Sequence, residues 1–337
     1  MTRSVELIAE FQPYILDLPA APESLYRQSC SNDEATINNW RGTWLGNMAA
    51  NRAHFGTFAE KSLGQLRAKH RGQTVIIAGS GPSLVYNGEQ LKSDHGAVVI
   101  SCLHNFHFFE DRDIHVDYYV SLDAGPIVLT EVAEGGQHDP DWYWERTEGK
   151  TLFAFVASNP ELFRKWRGKI YLFNCPAPDL DYMAEVDKIE QFNMFVSSGG
   201  NVLGACTYIA KGILGCSTTA FIGADFSFSY KNKFHGWDSS YDKIMGSCMR
   251  VVDVYGNSVK TWPSYHNFKS WFDWVASTIP GIYINCTEGG TFGAYREGNI
   301  VAVKQMELKV FLDMINMCEH LRDQCDSPGT AERKVLF

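Results

Sequence analysis

TVIIAGSGPSL, residues 74–84, decides how the rest of the chain is read. TVIIA (74–78) is a short β-branched run, and a glycine-rich turn, Gly79-Ser80-Gly81-Pro82-Ser83-Leu84, follows it directly. Six further apolar runs share its character: AVVIS (97–101), VDYYVSL (116–122), TLFAFV (151–156), KIYLF (169–173), TTAFIG (218–223) and GIYIN (281–285). They are continuous rather than alternating, the pattern of strands covered on both faces. Helix-length segments separate them, which predicts βαβ units and a mostly parallel sheet with helices on both faces.

Working outward, residues 1–70 read as helical with polar interruptions, carrying aromatic anchors at Trp40, Trp44, Phe55 and Phe58. These anchors suit either packing on the core or a subunit contact, which leaves room for a homo-oligomer. VLGACTYIAKGIL (202–214) and SYHNFKSWFDWVAS (264–277) predict helices, each ahead of a strand, and residues 300–321 predict a long amphipathic helix. The organisation expected is a helical extension over 1–70, an α/β domain over 71–299, and a C-terminal helix and tail over 300–337. The polar or proline-bearing segments 127–150 and 175–196 suit lids or insertions over a site.

Composition narrows the function. The 337 residues include 45% hydrophobic and 13% aromatic residues, ample for a packed core. A net charge of -9 argues against a non-specific nucleic-acid binder. No run approaches the roughly 20 apolar residues of a membrane span. Glu6 and Glu10 interrupt the first apolar stretch, so it does not read as a signal peptide. Nine cysteines occur without any CxxC pair, which excludes a zinc ribbon and suggests reduced, buried thiols. The expected location is the cytoplasm.

Several motifs carry chemistry. The turn at 79–84 stands where a first parallel strand ends, a place where nucleotide phosphates meet backbone N–H groups. It departs from the dinucleotide fingerprint: Leu84 replaces the third glycine, and AVVIS leads into Cys102 rather than an acidic residue. It also lacks the lysine of a P-loop. Ser197-Ser198-Gly199-Gly200-Asn201 precedes the helix at 202 and offers a second anion or ribose site, or simply a flexible loop with a cap. Asp225, after FIGA, and Asp123, after VDYYVSL, both sit at strand ends, where a carboxylate can hold a metal, orient a hydroxyl or cap a turn. His235 lies ten residues beyond Asp225, and Glu288 lies in NCTEGG (285–290).

Together, IIAGSGPSL, SCLHNFHFF, the Ser-Ser-Gly turn, FIGADF and the loop histidine resemble the MptE-like (6-hydroxymethylpterin diphosphokinase-like) family. That family includes the Maf-type flagellin glycosyltransferases, and its core is similar to bacterial sialyltransferases. VYGNSVKTW (254–262) and INCTEGGTFG (284–293) fit its later segment, so the resemblance runs from about residue 40 to residue 300. It implies a modified Rossmann-like core that binds a nucleotide through Gly79, Ser80, Gly81, Pro82, Ser83, Asn105, Ser197, Ser198 and Gly199. Asp123 and Glu288 join that binding set. His235 and Asp225 would be catalytic, with His266 a competitor for the base.

Three readings follow. The favoured one is a glycosyltransferase using a CMP-activated, nonulosonic-acid-like donor and a histidine base, with no cofactor required. Its acceptor would be a glycan, a protein or a small molecule. The second is a diphosphokinase that uses ATP and Mg²⁺ on a hydroxymethyl, pterin-like acceptor, with Asp123 and Asp225 as metal ligands. The third is a catalytically silent nucleotide-binding module.

Overall fold

A computed structural model describes residues 23–177, 179–228, 248–294 and 302–326. Eight strands form one sheet: β1 (Thr74–Ala78), β2 (Val98–Cys102), β3 (Tyr118–Ser121), β4 (Thr151–Phe155), β5 (Lys169–Phe173), β6 (Thr218–Ile222), and, after the hairpin β7 (Met249–Val252) and β8 (Ser258–Thr261), β9 (Ile282–Asn285) and β10 (Val303–Gln305). Their order is β10-β9-β6-β1-β2-β3-β4-β5. Every neighbouring pair is parallel. The seven runs of the sequence are seven of these strands. All of β2 and β3 is buried, as is β6 beyond its first residue, because helices cover both faces.

The chain leaves β1 toward β2 and works outward to β5. It then returns to the other side of β1 with β6, β9 and β10. The direction of winding therefore reverses between β1 and β6. Strands that diverge in this way open a crevice at their carboxyl ends, the usual ligand position in an open α/β sheet.

The helices in chain order are α1 (Glu23–Phe55), α2 (Leu84–Asn87), α3 (Phe106–Glu110), α4 (Ile127–Glu131), α5 (Pro140–Arg146), α6 (Pro160–Lys165), α7 (Leu180–Ile189), α8 (Val202–Tyr208), α9 (Pro263–Thr278) and α10 (Leu308–Asp326). α1 is one uninterrupted helix of 33 residues, about 50 Å long, in place of interrupted pieces. Its Trp44 packs on Phe155 and Tyr182, Phe55 meets Phe163, and Phe58 meets Phe192. Three of the four aromatic anchors thus serve the core.

Other expectations need correction. The C-terminal helix begins at Leu308, not at residue 300. The β-branched IVAV (300–303) favours extended backbone, and Val303–Gln305 pairs with β9 instead. The helix expected over 202–214 is regular only to Tyr208; it then widens, with Leu214 N donating to Ile209 O. Segments 127–150 and 175–196 are not lids. They contain α4, α5 and α7, which bury Val128, Tyr143, Trp144, Tyr182 and Val186. All seven cysteines with described side chains are free; Cys102, Cys206, Cys216 and Cys286 are buried as expected, whereas Cys175 and Cys248 are half-buried and Cys318 is exposed.

Candidate functional site

The crevice between β1 and β6 contains a cleft of about 180 Å³. Its floor is made by two turns that lock together, residues 79–82 after β1 and 223–227 after β6. Gly79 N donates to Ile222 O (2.9 Å), and Gly81 N to Gly223 O (2.8 Å). A Cβ on Gly79 would stand 2.5 Å from Gly223 O, and one on Gly81 would stand 2.6 Å from the same oxygen and overlap Asp225 Oδ2. Glycine is therefore needed so that two backbones can touch, before any ligand is considered.

This changes what the turn can do. Ser83 N donates to Asp225 Oδ2 (3.3 Å) and Leu84 N to Gly81 O (3.1 Å). With Gly79 N and Gly81 N also committed and Pro82 lacking a proton, most of the turn's donors serve the fold itself. α2 is a single turn that passes straight into a 3₁₀ segment, Gly88–Lys92. Donors at the helix start lie instead across the cleft. Val202 and Leu203 line it at the first turn of α8, where backbone N–H groups have no intrahelical acceptor. Asn201 also lines it and caps that helix, its Oδ1 accepting from Gly204 N (3.0 Å).

Asp225 is the charged group of the floor. It is 1% exposed. Its Oδ2 accepts from Ser83 Oγ at 2.6 Å and from Ser83 N. Its Oδ1 is buried with no hydrogen-bond partner among the described residues. Burial raises the carboxyl to about 7, and the two bonds from Ser83 and the residue's own backbone N–H oppose that rise only in part. An unmet buried acceptor just beneath a cleft floor is costly. The turn that carries Asp225 is braced on three sides. Thr291 N donates to Asp225 O, Thr261 Oγ1 to Phe226 O, and Ala224 N to Thr287 Oγ1. The hairpin β7–β8 and the loop after β9 thus hold one carboxylate in place.

The remaining candidates divide. Ser80, Gly79, Gly81 and Pro82 line the cleft with Asp225. Ser197, Ser198 and Gly199 form the turn before α8, but Gly199 and Gly200 make way for the rings of Trp271 and Phe268 on α9. Asn105 is fully buried behind the floor, with Nδ2 donating to Gly79 O (3.1 Å), Ala78 O (3.3 Å) and Ser101 Oγ (3.0 Å). It does not line the cleft, so it acts on a ligand only through Gly79. Glu288 is engaged elsewhere: its Oε1 accepts from Asn87 Nδ2 (3.2 Å) and from Leu308 N (3.0 Å), which fixes the start of α10.

Asp123 stands at the end of β3, pushed up to about 6 by burial and by the nearby Glu131. The order β6-β1-β2-β3 places three strand spacings, about 14 Å, between the ends that carry Asp225 and Asp123. One cation cannot be held by both. No cluster of three metal-ligating side chains occurs among the described residues. His235 lies outside the described residues. His266 is on α9 and does not line the cleft, and His107 is buried and pushed down to about 3, hence neutral. The sequence reading missed Tyr265 and Phe268, which form the cleft's wall on α9, and Cys102, which lines it from the end of β2.

A doubly wound parallel sheet with a ligand cleft at its reversal point defines a modified Rossmann-like α/β domain. The sequence pattern of the 6-hydroxymethylpterin diphosphokinase MptE-like family matches residues 47–231, more than half of the chain, and the chain belongs to that family. Among solved structures it is similar to a Maf glycosyltransferase from Magnetospirillum magneticum AMB-1, with a TM-score of 0.57 and 15% identity. The match covers 85% of this chain and 42% of that one, so this chain spans less than half of that protein's length. At that identity the likeness shows the fold alone. No curated protein sequence matches the chain. No helix among the described residues is long and apolar enough to cross a membrane.

Proposed function

We propose that the chain is a nucleotide-dependent transferase that moves a glycosyl group from a CMP-activated, nonulosonic-acid-like donor to a hydroxyl acceptor. The observation that carries this reading is Asp225, a buried carboxyl on the floor of the switch-point cleft with one oxygen unmet among the described residues. In this reading the nucleotide lies between the floor and the start of α8. A ligand hydroxyl donates to Asp225 Oδ1, and the first-turn N–H groups of α8 face the phosphate. The acceptor oxygen bonds to the sugar carbon, the phosphate leaves with the bonding pair, and a base takes the acceptor proton. His235 is the first candidate for that base, since an imidazole titrates near neutrality without tuning. Asp225, raised to about 7, is the second.

The family's description favours a second reading, a diphosphokinase using ATP and Mg²⁺. Its expected metal pair does not form, because Asp123 and Asp225 end strands that are three apart. An ion in that reaction would be held by one carboxylate and by the triphosphate itself.

The test is thermal unfolding with CMP, CDP, UDP, ADP and ATP, each with and without Mg²⁺. A ligand at 100 times its Kd stabilises the fold by about 2.7 kcal/mol. Stabilisation by CMP without metal supports the glycosyltransferase. Stabilisation by ATP only with Mg²⁺ replaces it with the diphosphokinase, and no response to any of the five contradicts both.

A further inference from the structure

The wall of the cleft has a chemistry that the floor lacks. Tyr265 and Phe268 are three residues apart on α9, so their rings share one side of the helix, with centroids 6.3 Å apart and planes tilted by 38°. Both are half-buried and both line the cleft. Neither ring is loose. Tyr265 packs against Trp262 (5.3 Å) and Phe228 (6.2 Å). Phe268 is pressed on the turn before α8, where a Cβ on Gly200 would come within 2.8 Å of the ring. Gly200 has φ +85°, a backbone that glycine adopts at little cost, and its missing side chain is what lets the ring approach. The aromatic wall is thus braced by neighbouring rings and by the turn before α8 while it lines the cleft.

The cleft is therefore lined by polar groups, Ser80, Asp225 and Asn201, and by the aromatic rings of Tyr265 and Phe268. A nucleoside monophosphate combines the same two kinds of group: hydroxyls and a phosphate, and a flat π-system. We infer that Tyr265 and Phe268 form the nucleobase platform of this cleft, and that the base is held by stacking on their rings. The inference rests on the nucleotide reading above and adds the part of the ligand that α9 recognises. Rings fixed in advance lose little freedom when a base stacks on them. Stacking also accepts any base, since each offers a π-face. The wall therefore supplies affinity for nucleotides as a class and leaves the choice among them to polar contacts.

The experiment measures binding of CMP, UMP, AMP and ribose 5-phosphate to the full chain by isothermal titration calorimetry. It is repeated on Tyr265→Leu, Phe268→Leu and Tyr265→Phe, each checked for folding by thermal unfolding. The expected result is that the three nucleotides bind at least about 10-fold more tightly than ribose 5-phosphate. The leucine variants should weaken the nucleotides by roughly 5- to 150-fold, the range of one base stack, and leave ribose 5-phosphate unchanged. Tyr265→Phe should keep wild-type affinity. If Phe268→Leu fails to fold, the wild-type ratio and the Tyr265 pair decide. Equal binding of nucleotides and ribose 5-phosphate overturns the platform while the cleft remains a phosphate site. Binding of neither overturns the nucleotide reading itself.

Discussion

Along the carboxyl edge of the sheet, the ends of β3 and β4 lie beneath α1, whereas the ends of β1 and β6 face the cleft. The sealed half uses two asparagines one turn apart on α1. Asn47 Nδ2 donates to Ala124 O (2.9 Å) and Ala157 O (3.0 Å), and Asn51 Nδ2 to Val156 O (2.8 Å) and Ser158 O (2.9 Å). Carbonyls that would otherwise meet water or a ligand are taken up by the protein's own side chains. Beyond β5, Arg41 pairs with Asp179 and Glu185, and Arg52 pairs with Glu190, which ties α1 to α7 and the residues that flank it. In the open half, by contrast, a buried oxygen of Asp225 is left unmet. The same fold thus takes up the backbone carbonyls of one edge with its own side chains and leaves an ionisable oxygen beside the cleft at the other, although buried side-chain atoms without a partner among the described residues, such as Asn51 Oδ1 and Ser158 Oγ, occur under α1 as well.

Three substitutions sharpen or break the comparison, in decreasing order of expected effect. The largest concerns Asp225. In the folded chain its carboxyl keeps a proton up to about 7, while an unfolded aspartate releases it near 4. The folded state therefore binds the proton more tightly. Asp225 favours folding fully below pH 4 and loses that contribution as pH rises through 7. Relative to wild type, Asp225→Asn should gain up to about 4 kcal/mol of stability between pH 4 and pH 8. Denaturant unfolding of both proteins across that range checks it. A difference independent of pH would show that the carboxyl is ordinary and the open half is not strained by it.

Next is Gly81→Ala. The added Cβ overlaps Asp225 Oδ2 and Gly223 O, so the two turns of the floor must part. A cost of about 3 kcal/mol is expected for such overpacking, together with loss of CMP affinity by calorimetry. Unchanged affinity would detach the floor from the ligand. Third, Asn51→Ala leaves Val156 O and Ser158 O without their donor, at about 2 kcal/mol. Melting temperature should fall while CMP affinity stays the same. A fall in affinity as large as that of Gly81→Ala would erase the distinction between the halves.

The fold was legible where burial was symmetrical. TVIIA, TTAFIG and the other continuous runs announce strands because both of their faces are covered. The hairpin β7–β8 carries no such run, and β10 shares only Val303 with the apolar IVAV; these strands are short, and most of their residues are partly or fully exposed. Of the site, Asp225 was legible because a carboxylate at the end of an apolar strand has few structural uses. Glu288 looked equivalent beside its glycines, yet its role is set by Leu308, twenty residues away. Asn105 was placed correctly at the end of β2, but the direction of its amide, back into β1, depends on packing that no local pattern encodes. Tyr265 and Phe268 were hidden for a related reason. An aromatic pair at helical spacing is the ordinary signature of a core face, and only the fold shows that this face borders a cleft.

Hydrogen–deuterium exchange of the full chain with and without saturating CMP tests the central claim most directly, because it reads both halves of the edge in one measurement. The account predicts added protection in residues 202–204 and 223–227, at the cleft, and none in residues 124–125 or 156–158, beneath α1. Protection confined to the sealed half, or none anywhere at a concentration where calorimetry shows binding, would contradict it.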